Sequence, residues 1–563
     1  MKGNGENLTI KSMNIKQQLT NIFSGAFERA GYSAELGTVT VSDRPDLCQF
    51  QCNGALSAAK QYKTNPMSIA EAVCSALTEE ERELLTVEAV RPGFLNISVS
   101  GALIAERLNA IAADGRLLMP KTDAPKTIML DYGGPNVAKP LHVGHLRSAV
   151  IGDALYRIAA FLGHRTVSDI HLGDWGLPMG LCIQWIIDNN IEKFGNGELN
   201  SIYPAATARA KDDAEFAAKA QTVTRELQQG DEYYYSIWQR IRAVSVEDAK
   251  ANYDALNVRD FDYWYGESTA QTDVDEVITR LEAAGLLKED GGAKIVELRR
   301  EEDNEPVPPI IIVKSGGGEL YSTTDLATII QRERDFAPDE YWYLTDQRQI
   351  LHFKQVFRTA ALGGFSGAEF THIAFGTVNG ADGKPFKTRT GGVMRLSDMI
   401  SEVREKLPDP RVAVAAIRIA DLQNQPTRDY KFELDKFTAV EGKTGPYLLY
   451  TAVRIASVLE KADGVPAAGT YTAPASGKES SLALALDSAG DAVLRAFAEK
   501  APSAVCDCLF EIAGKFNEFY AENRILTEPD AVRRNSWLAL LAVTRRTLVT
   551  LLGLLGVEVP ERM

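Results

Sequence analysis

The chain has 563 residues, 45% hydrophobic and 24% charged, a composition ordinary for a globular protein. At about 100–200 residues per domain, this length predicts roughly three or four domains. The net charge of −15 argues against a nonspecific polyanion binder, although a local basic groove would be enough for a nucleic-acid partner.

The N-terminal run MKGNGENLTIKSMNIKQQL lacks the apolar core of a signal peptide. A helix over 15–30, short strands, a helix over 68–76 and the strand-like GFLNISVS (93–100) predict a small α+β unit, residues 1–115. A polar linker then ends at Pro125. In residues 116–410, the β-rich runs TIMLDY, IIIVKS, YWYLTD and THIAFG alternate with helical stretches such as HLRSAVIGDALYRIAAFLG. That alternation predicts a Rossmann-like parallel α/β sheet. Residues 189–262 are charged, helical and aromatic, as an insertion would be. From 411 to 563 strands vanish and helical periodicity dominates, at 446–462, 487–500, 503–523 and 530–555, with Gly556 as a C-cap. The Ala/Gly/Ser/Pro-rich stretch 464–480 reads as a loop. Leu548–Val559, the most apolar segment, is too short to span a bilayer. The fold class predicted is α/β, a Rossmann-like domain between an N-terminal α+β domain and a C-terminal all-α bundle.

The six cysteines, at 48, 52, 74, 182, 506 and 508, fit no zinc-ribbon spacing. They read as reduced structural thiols of a cytosolic protein.

The most informative stretch is DYGGPNVAKPLHVGHLR, 131–147. A strand breaks at Gly133, Gly134 and Pro135, and a helix opens after His142. Such a junction aims backbone N–H groups and the positive helix end at a phosphate. His142 and His145, three apart, share one face, and Gly144 lets the backbone approach closely because it has no Cβ. A metal site is not predicted, since no third ligand stands at a suitable spacing nearby.

Five further elements follow in order: HLGDWGLPMG (171–180), YGES (265–268), ELYSTTDLA (319–327), TDQRQILHF (345–353) and GKPFKTRTGG (383–392). HVGH resembles the HIGH signature of class I aminoacyl-tRNA synthetases. The ordered set, with FQCNGALSAAK (50–60), EGKTGPYLLYTAVRI (441–455) and the terminal VPERM, resembles the arginyl-tRNA synthetase family over essentially the whole chain.

The resemblance implies an arginine–tRNA ligase. The arginine carboxylate attacks the α-phosphate of ATP, pyrophosphate leaves, and the 2′-hydroxyl of the terminal tRNA adenosine takes the arginyl group. Mg²⁺ is implied with ATP, without a dedicated protein site. The family needs tRNA to activate arginine and is usually monomeric, and no membrane or DNA partner is implied. His142, His145 and Gly144 would contact the phosphates. The basic loop departs from the usual KMSKS, reading Phe386-Lys387-Thr388-Arg389. Lys384, Lys387 and Arg389 would share its charge, and Lys139 would be the compensating cation. Gly376 and Val378, in GTVN (376–379), would border the adenine.

Arginine recognition needs acceptors, because a guanidinium only donates. By resemblance, Asp131, Asn136, Glu267, Tyr321, Asp325 and Gln349 would line the pocket. Each charged hydrogen bond left unmade costs roughly 1.5–3 kcal/mol. Two or three would reject lysine or ornithine by about 10³–10⁵-fold. The insertion, too short and too charged for an editing domain, is then not needed as one. Gly133 and Gly134 depart from the Ser-Ser of many relatives, which removes any hydroxyl contact there. His171, Gly173, Asp174 and Trp175 would border both pockets. Arg418, Arg428, Lys431, Tyr447, Tyr450 and Arg454 offer basic and stacking groups for tRNA, while helical spacing puts Leu448, Leu449 and Val453 in the core. Competing readings are a noncatalytic tRNA-binding paralogue, a cysteine-type synthetase, which would want a zinc site, and a plain HxGH nucleotidyltransferase, which would lack the C-terminal bundle.

Overall fold

The computed structural model describes residues 13–315, 320–380, 383, 394–462, 464, 466–467 and 469–563. The first helix, Ile15–Arg29, starts at a capping box in which Asn14 and Gln17 each accept the other's backbone N–H. Its buried face, Leu19, Phe23, Ala26 and Phe27, recurs at helical spacing. It belongs to an α+β unit whose antiparallel sheet comprises β1 (Val39–Val41), β2 (Phe50–Cys52), β3 (Leu85–Val90) and β4 (Phe94–Val99), in the order β1-β2-β4-β3. This unit is tied to the C-terminal bundle. Asp487 accepts the backbone N–H of Ile15 at 2.7 Å and pairs with Arg107 at 2.5 Å.

The central sheet opens with β5 (Thr127–Asp131) and β6 (Arg165–Asp169). Next in sequence, β7 (Leu287–Asp290), β8 (Ala293–Val296) and β9 (Ile310–Val313) form a separate antiparallel meander. The IIIV run therefore leaves the parallel sheet to which alternation assigned it. It pairs with its sequence neighbour β8 across the connection 297–309, because closing a loop costs entropy that grows only slowly with its length. Then β10 (Glu340–Asp346) and β11 (Glu369–Phe375) complete an all-parallel sheet of order β11-β10-β5-β6. Registers Tyr343↔Asp131 and Asp131↔Asp169 bring the carboxyl ends of three strands to one edge, where open α/β sheets bind ligands. The helix Val143–Phe161 lies against β5, β6 and β10.

Three helices, Asn196–Asp212, Ala214–Gln228 and Glu232–Asp254, fill the charged insertion. Among the described residues, the C-terminal part is helical from Pro410 apart from a single short strand. The two-residue β13 (Tyr430–Lys431) pairs in parallel with β12 (Val378–Asn379), so strands do not quite vanish after 411. A helix Gly477–Asp487 takes up the end of the 464–480 loop, because Ser476 accepts from Glu479 N–H and caps it. The last helix, Ala531–Leu554, ends as the sequence predicts. Gly556 has φ +69°, and Val557 N–H reaches back to the Leu552 carbonyl. By length and composition alone this helix could cross a membrane, yet 67% of its apolar stretch is buried within the protein. All six cysteines are free thiols, and burial pushes Cys52 up to about 11 and Cys182 and Cys508 up to about 12.

Candidate active site

The signature histidines are built by the helix end itself. His142 is the N-cap of Val143–Phe161, in extended conformation, and its Nδ1 accepts the Gly144 N–H at 3.0 Å. The Nδ1 of His145, at N3, accepts the His142 N–H at 3.0 Å. This capping box uses imidazoles where Ser and Glu normally stand. Each Nδ1 accepts, so each neutral ring carries its proton on Nε2. Burial, and then the neighbouring His142, lowers His145 to about 3; burial, and then the Arg348 guanidinium, lowers His142. The rings, 4.0 Å apart, are thus two neutral N–H donors at a positive helix end. Gly144 is required for a local reason, since a Cβ there would lie 2.7 Å from the His142 ring.

Lys384, Lys387 and Arg389 lie outside the described residues, but the segments flanking them are anchored at this helix. Val143 N–H donates to the Met394 carbonyl at 3.1 Å, and Leu396 N–H to the Leu141 carbonyl at 2.9 Å. On the other flank, β12 pairs with β13, and the Gly376 carbonyl accepts from buried Arg147 at 2.9 Å. Val378 is buried. The ammonium of Lys139 rests 4.5 Å from the Tyr203 ring of the insertion. Arg348, which sequence reasoning left unassigned inside TDQRQ, is exposed and forms a bidentate pair with Asp346 at 2.8 Å.

The proposed arginine ligands divide into two groups. Glu267, Tyr321 and Asp325 converge around two histidines. Asp325 Oδ2 is 2.5 Å from His352 Nε2, its Oδ1 is 4.0 Å from His171 Nε2, and the Tyr321 ring packs 4.8 Å from His352. Tyr321 and Asp325 therefore do face one way. Glu267 opens the short helix Glu267–Ala270, its N–H bound to the Leu172 carbonyl at 3.0 Å. Burial raises its carboxyl to about 7, opposed by His171 and reinforced by Asp325 and Asp174. Asp131, by contrast, already faces a guanidinium of the protein. Arg332, fully buried, pairs with Asp131 at 2.8 Å and with Asp169 at 2.6 Å. Burial raises Asp131 despite that partner. Arg332 escaped the sequence reading because an arginine on a helix looks the same whether solvated or paired. Asn136 is bridged to Gly173, and Gln349 is exposed one turn ahead of His352.

Among the tRNA candidates, Tyr447 accepts from Asn517 Nδ2 at 2.8 Å and Arg454 lies 4.3 Å over Tyr520. Tyr450 is 48% exposed. Leu448, Leu449 and Val453 are buried, as helical spacing predicts. Arg418 is not available to tRNA. It is fully buried, paired with Asp153 at 2.5 Å and bound to the Leu555, Leu256 and Asn257 carbonyls.

Comparison with known proteins agrees with this geometry. Residues 107–410 match the family model of tRNA synthetases class I (R), catalytic domain. Residues 13–99 match the arginyl tRNA synthetase N terminal domain, and 448–563 the DALR anticodon binding domain. An arginine–tRNA ligase of Alkaliphilus oremlandii is 44% identical, covering 97% of this chain and 99% of its own. One from Agathobacter rectalis is 42% identical over 96% and 98%. The fold is similar to arginyl-tRNA synthetase structures from Plasmodium falciparum (TM-score 0.81, 24% identity, 99% and 100% coverage) and Thermus thermophilus (0.78, 22%, 98% and 100%). With its domain models in order and relatives matched end to end, the chain belongs to the arginyl-tRNA synthetase family of class I aminoacyl-tRNA synthetases.

Proposed function

We propose that the protein is an arginine–tRNA ligase. The observation that carries this reading is the pair of neutral imidazole donors at a helix start, at the same sheet edge as the acidic Glu267–Asp325 pocket. The arginine carboxylate attacks the α-phosphorus of ATP, the bond to the bridging oxygen breaks, and pyrophosphate leaves with arginyl-adenylate formed. His142 and His145, through Nε2–H, donate to phosphate oxygens as charge develops, which needs placement rather than covalent help. Lys139, Lys384, Lys387 and Arg389 supply positive charge to the leaving pyrophosphate, with Gly144, Gly376 and Val378 around the nucleotide. Asp131, Asn136, Glu267, Tyr321, Asp325 and Gln349 hold arginine. The 2′-hydroxyl of the terminal tRNA adenosine then attacks the acyl carbon, and AMP leaves.

Mg²⁺, bound together with ATP, would supply charge neutralisation at the phosphates. Among the described residues, no group of three or more His, Cys, Asp or Glu side chains is placed to hold it. Residues 1–115 and 411–563 contact tRNA around the catalytic domain 116–410 and its insertion 189–262. Tyr450 faces the tRNA, with Tyr447 and Arg454 beside it on the same helix. The protein acts as a cytoplasmic monomer, with no membrane or DNA partner.

The test is ATP–pyrophosphate exchange dependent on arginine, with and without tRNA at matched Mg²⁺. Exchange only with both present supports the ligase and the tRNA-coupled activation implied by the family. Exchange without tRNA keeps the ligase and removes the coupling. No exchange in either condition, with tRNA still bound, replaces this reading by a noncatalytic tRNA-binding paralogue.

A further inference from the structure

Among the described residues at the arginine pocket, His171 has ring chemistry that the mechanism leaves unused. Its Nδ1 and Nε2 are both buried, and neither has a hydrogen-bond partner among the described residues. Its backbone segment is held on both sides. Leu172 bridges to Gly266, next to Glu267, and Gly173 bridges to Asn136. Above it, Gly134 packs so closely that a Cβ would meet the His171 carbonyl oxygen at 2.3 Å. The imidazole Nε2 lies 4.0 Å from Asp325 Oδ1.

Counting donors and acceptors assigns it a role. A guanidinium offers five N–H donors and no acceptor. Oδ2 of Asp325 is taken by His352, which leaves Asp325 Oδ1 and the Glu267 carboxylate as the nearest anionic acceptors on this side of the pocket. A neutral imidazole with its proton on Nε2 adds one directed neutral acceptor to them. Nε2–H turns to Asp325 Oδ1, and the Nδ1 lone pair is left for the ligand.

We propose that His171 is a specificity-determining residue of the arginine pocket, whose Nδ1 accepts a hydrogen from the substrate guanidinium while its Nε2–H orients Asp325. This rests on the arginine–tRNA ligase reading. A buried polar atom left unpaired is costly, so a ligand that satisfies it is favoured over one that does not reach. Ornithine, shorter and without the planar fork, does not reach it.

The test uses the full chain with tRNA, comparing wild type, His171→Ala and His171→Asn, whose amide places a polar atom near the Nδ1 position. In His171→Ala the arginine KM rises about 10- to 100-fold, as loss of one charge-assisted hydrogen bond implies. The KM for ATP stays the same. The inhibition constant of ornithine in the exchange assay moves by less than about 2-fold, so the preference for arginine narrows. His171→Asn recovers most of the loss. An unchanged arginine KM overturns the proposal. So does equal weakening of arginine and ornithine, the mark of a purely structural role. If His171→Ala does not fold, His171→Gln, which displaces the acceptor by one bond, carries the same expectations. Absence of arginine-dependent exchange in the wild type sinks the ligase reading itself and is thereby distinguishable.

Discussion

His142 and His145 satisfy each other's helix end: Nδ1 of His142 accepts from the second residue of the helix, and Nδ1 of His145 accepts from His142 itself, both at 3.0 Å. One arrangement thus both caps a helix and aims two Nε2–H donors outward. The spacing of three is the N-cap to N3 spacing, so the catalytic and the structural requirement select the same positions.

Removing one donor aimed at developing charge costs about 10²–10³ in rate, and that loss is expected for His145→Ala in pyrophosphate exchange. Stability follows a separate rule. His145 is neutral in the fold down to about 3, whereas the unfolded chain takes the proton below its ordinary 6.5. The unfolded state then binds more protons, so stability falls as pH drops below that ordinary value. Urea midpoints at neutral and mildly acidic pH should show wild type losing more on acidification than His145→Asn. Parallel losses would contradict a neutral, buried His145.

Glu267 titrates at about 7, so its carboxyl is half neutral in neutral buffer. Only the ionised form accepts fully from a guanidinium. The arginine KM should therefore rise as pH falls from about 8 to 6, by at most about tenfold per unit for one linked proton. Between its ordinary 4.5 and about 7, the folded state holds this proton and the unfolded state does not, so rising pH costs stability. Glu267→Gln should abolish arginine-dependent exchange and, above this window, stabilise the fold by about 1–3 kcal/mol. Calorimetric midpoints together with exchange rates measure both. A Gln variant that is less stable at high pH would reject the raised carboxyl.

Tyr450 and Tyr447 share a helix but differ in what holds them. Tyr450 is exposed and Tyr447 is bonded to Asn517. Tyr450→Ala should weaken tRNA binding by about 1–3 kcal/mol, the worth of one stacked base, with no shift in the melting midpoint. Tyr447→Phe should lower the midpoint and leave tRNA affinity nearly intact. Filter binding and thermal melts separate the two, and a reversal of these outcomes would move the tRNA surface elsewhere.

Arg418 joins the C-terminal helices to the catalytic domain through Asp153 and the Leu256 and Asn257 carbonyls. Arg418→Met strands a buried carboxylate and should cost about 3–5 kcal/mol in urea unfolding. The arginine KM, measured well below the new midpoint, should hold. A variant of wild-type stability would mean that Asp153 is satisfied by Arg157, its other partner at 2.9 Å.

Much of the site was legible because its logic is local. HVGH, the strand before it and the helix after it are one continuous stretch, as are Tyr321 and Asp325 on one helix face. Arg332 and His171 were harder to assign a role, since what matters in each is the identity of residues far away in sequence. Nothing in the letters separates Arg418, buried on Asp153, from the exposed Arg428 and Lys431.

By itself the sequence determined the order of domains, the phosphate-facing helix start and the C-terminal stop at Gly556, all governed by near-neighbour spacing, capping and apolar period. Only the tertiary structure decided that 310–313 joins an antiparallel meander, that β12 finds β13, and that Asp131 is matched to Arg332 while Glu267 and Asp325 gather around His171. Strand partners and ion pairs depend on which distant groups the packed core brings within a few ångströms. Charge and polarity along the chain do not encode that proximity; burial does, by making each unpaired partner costly.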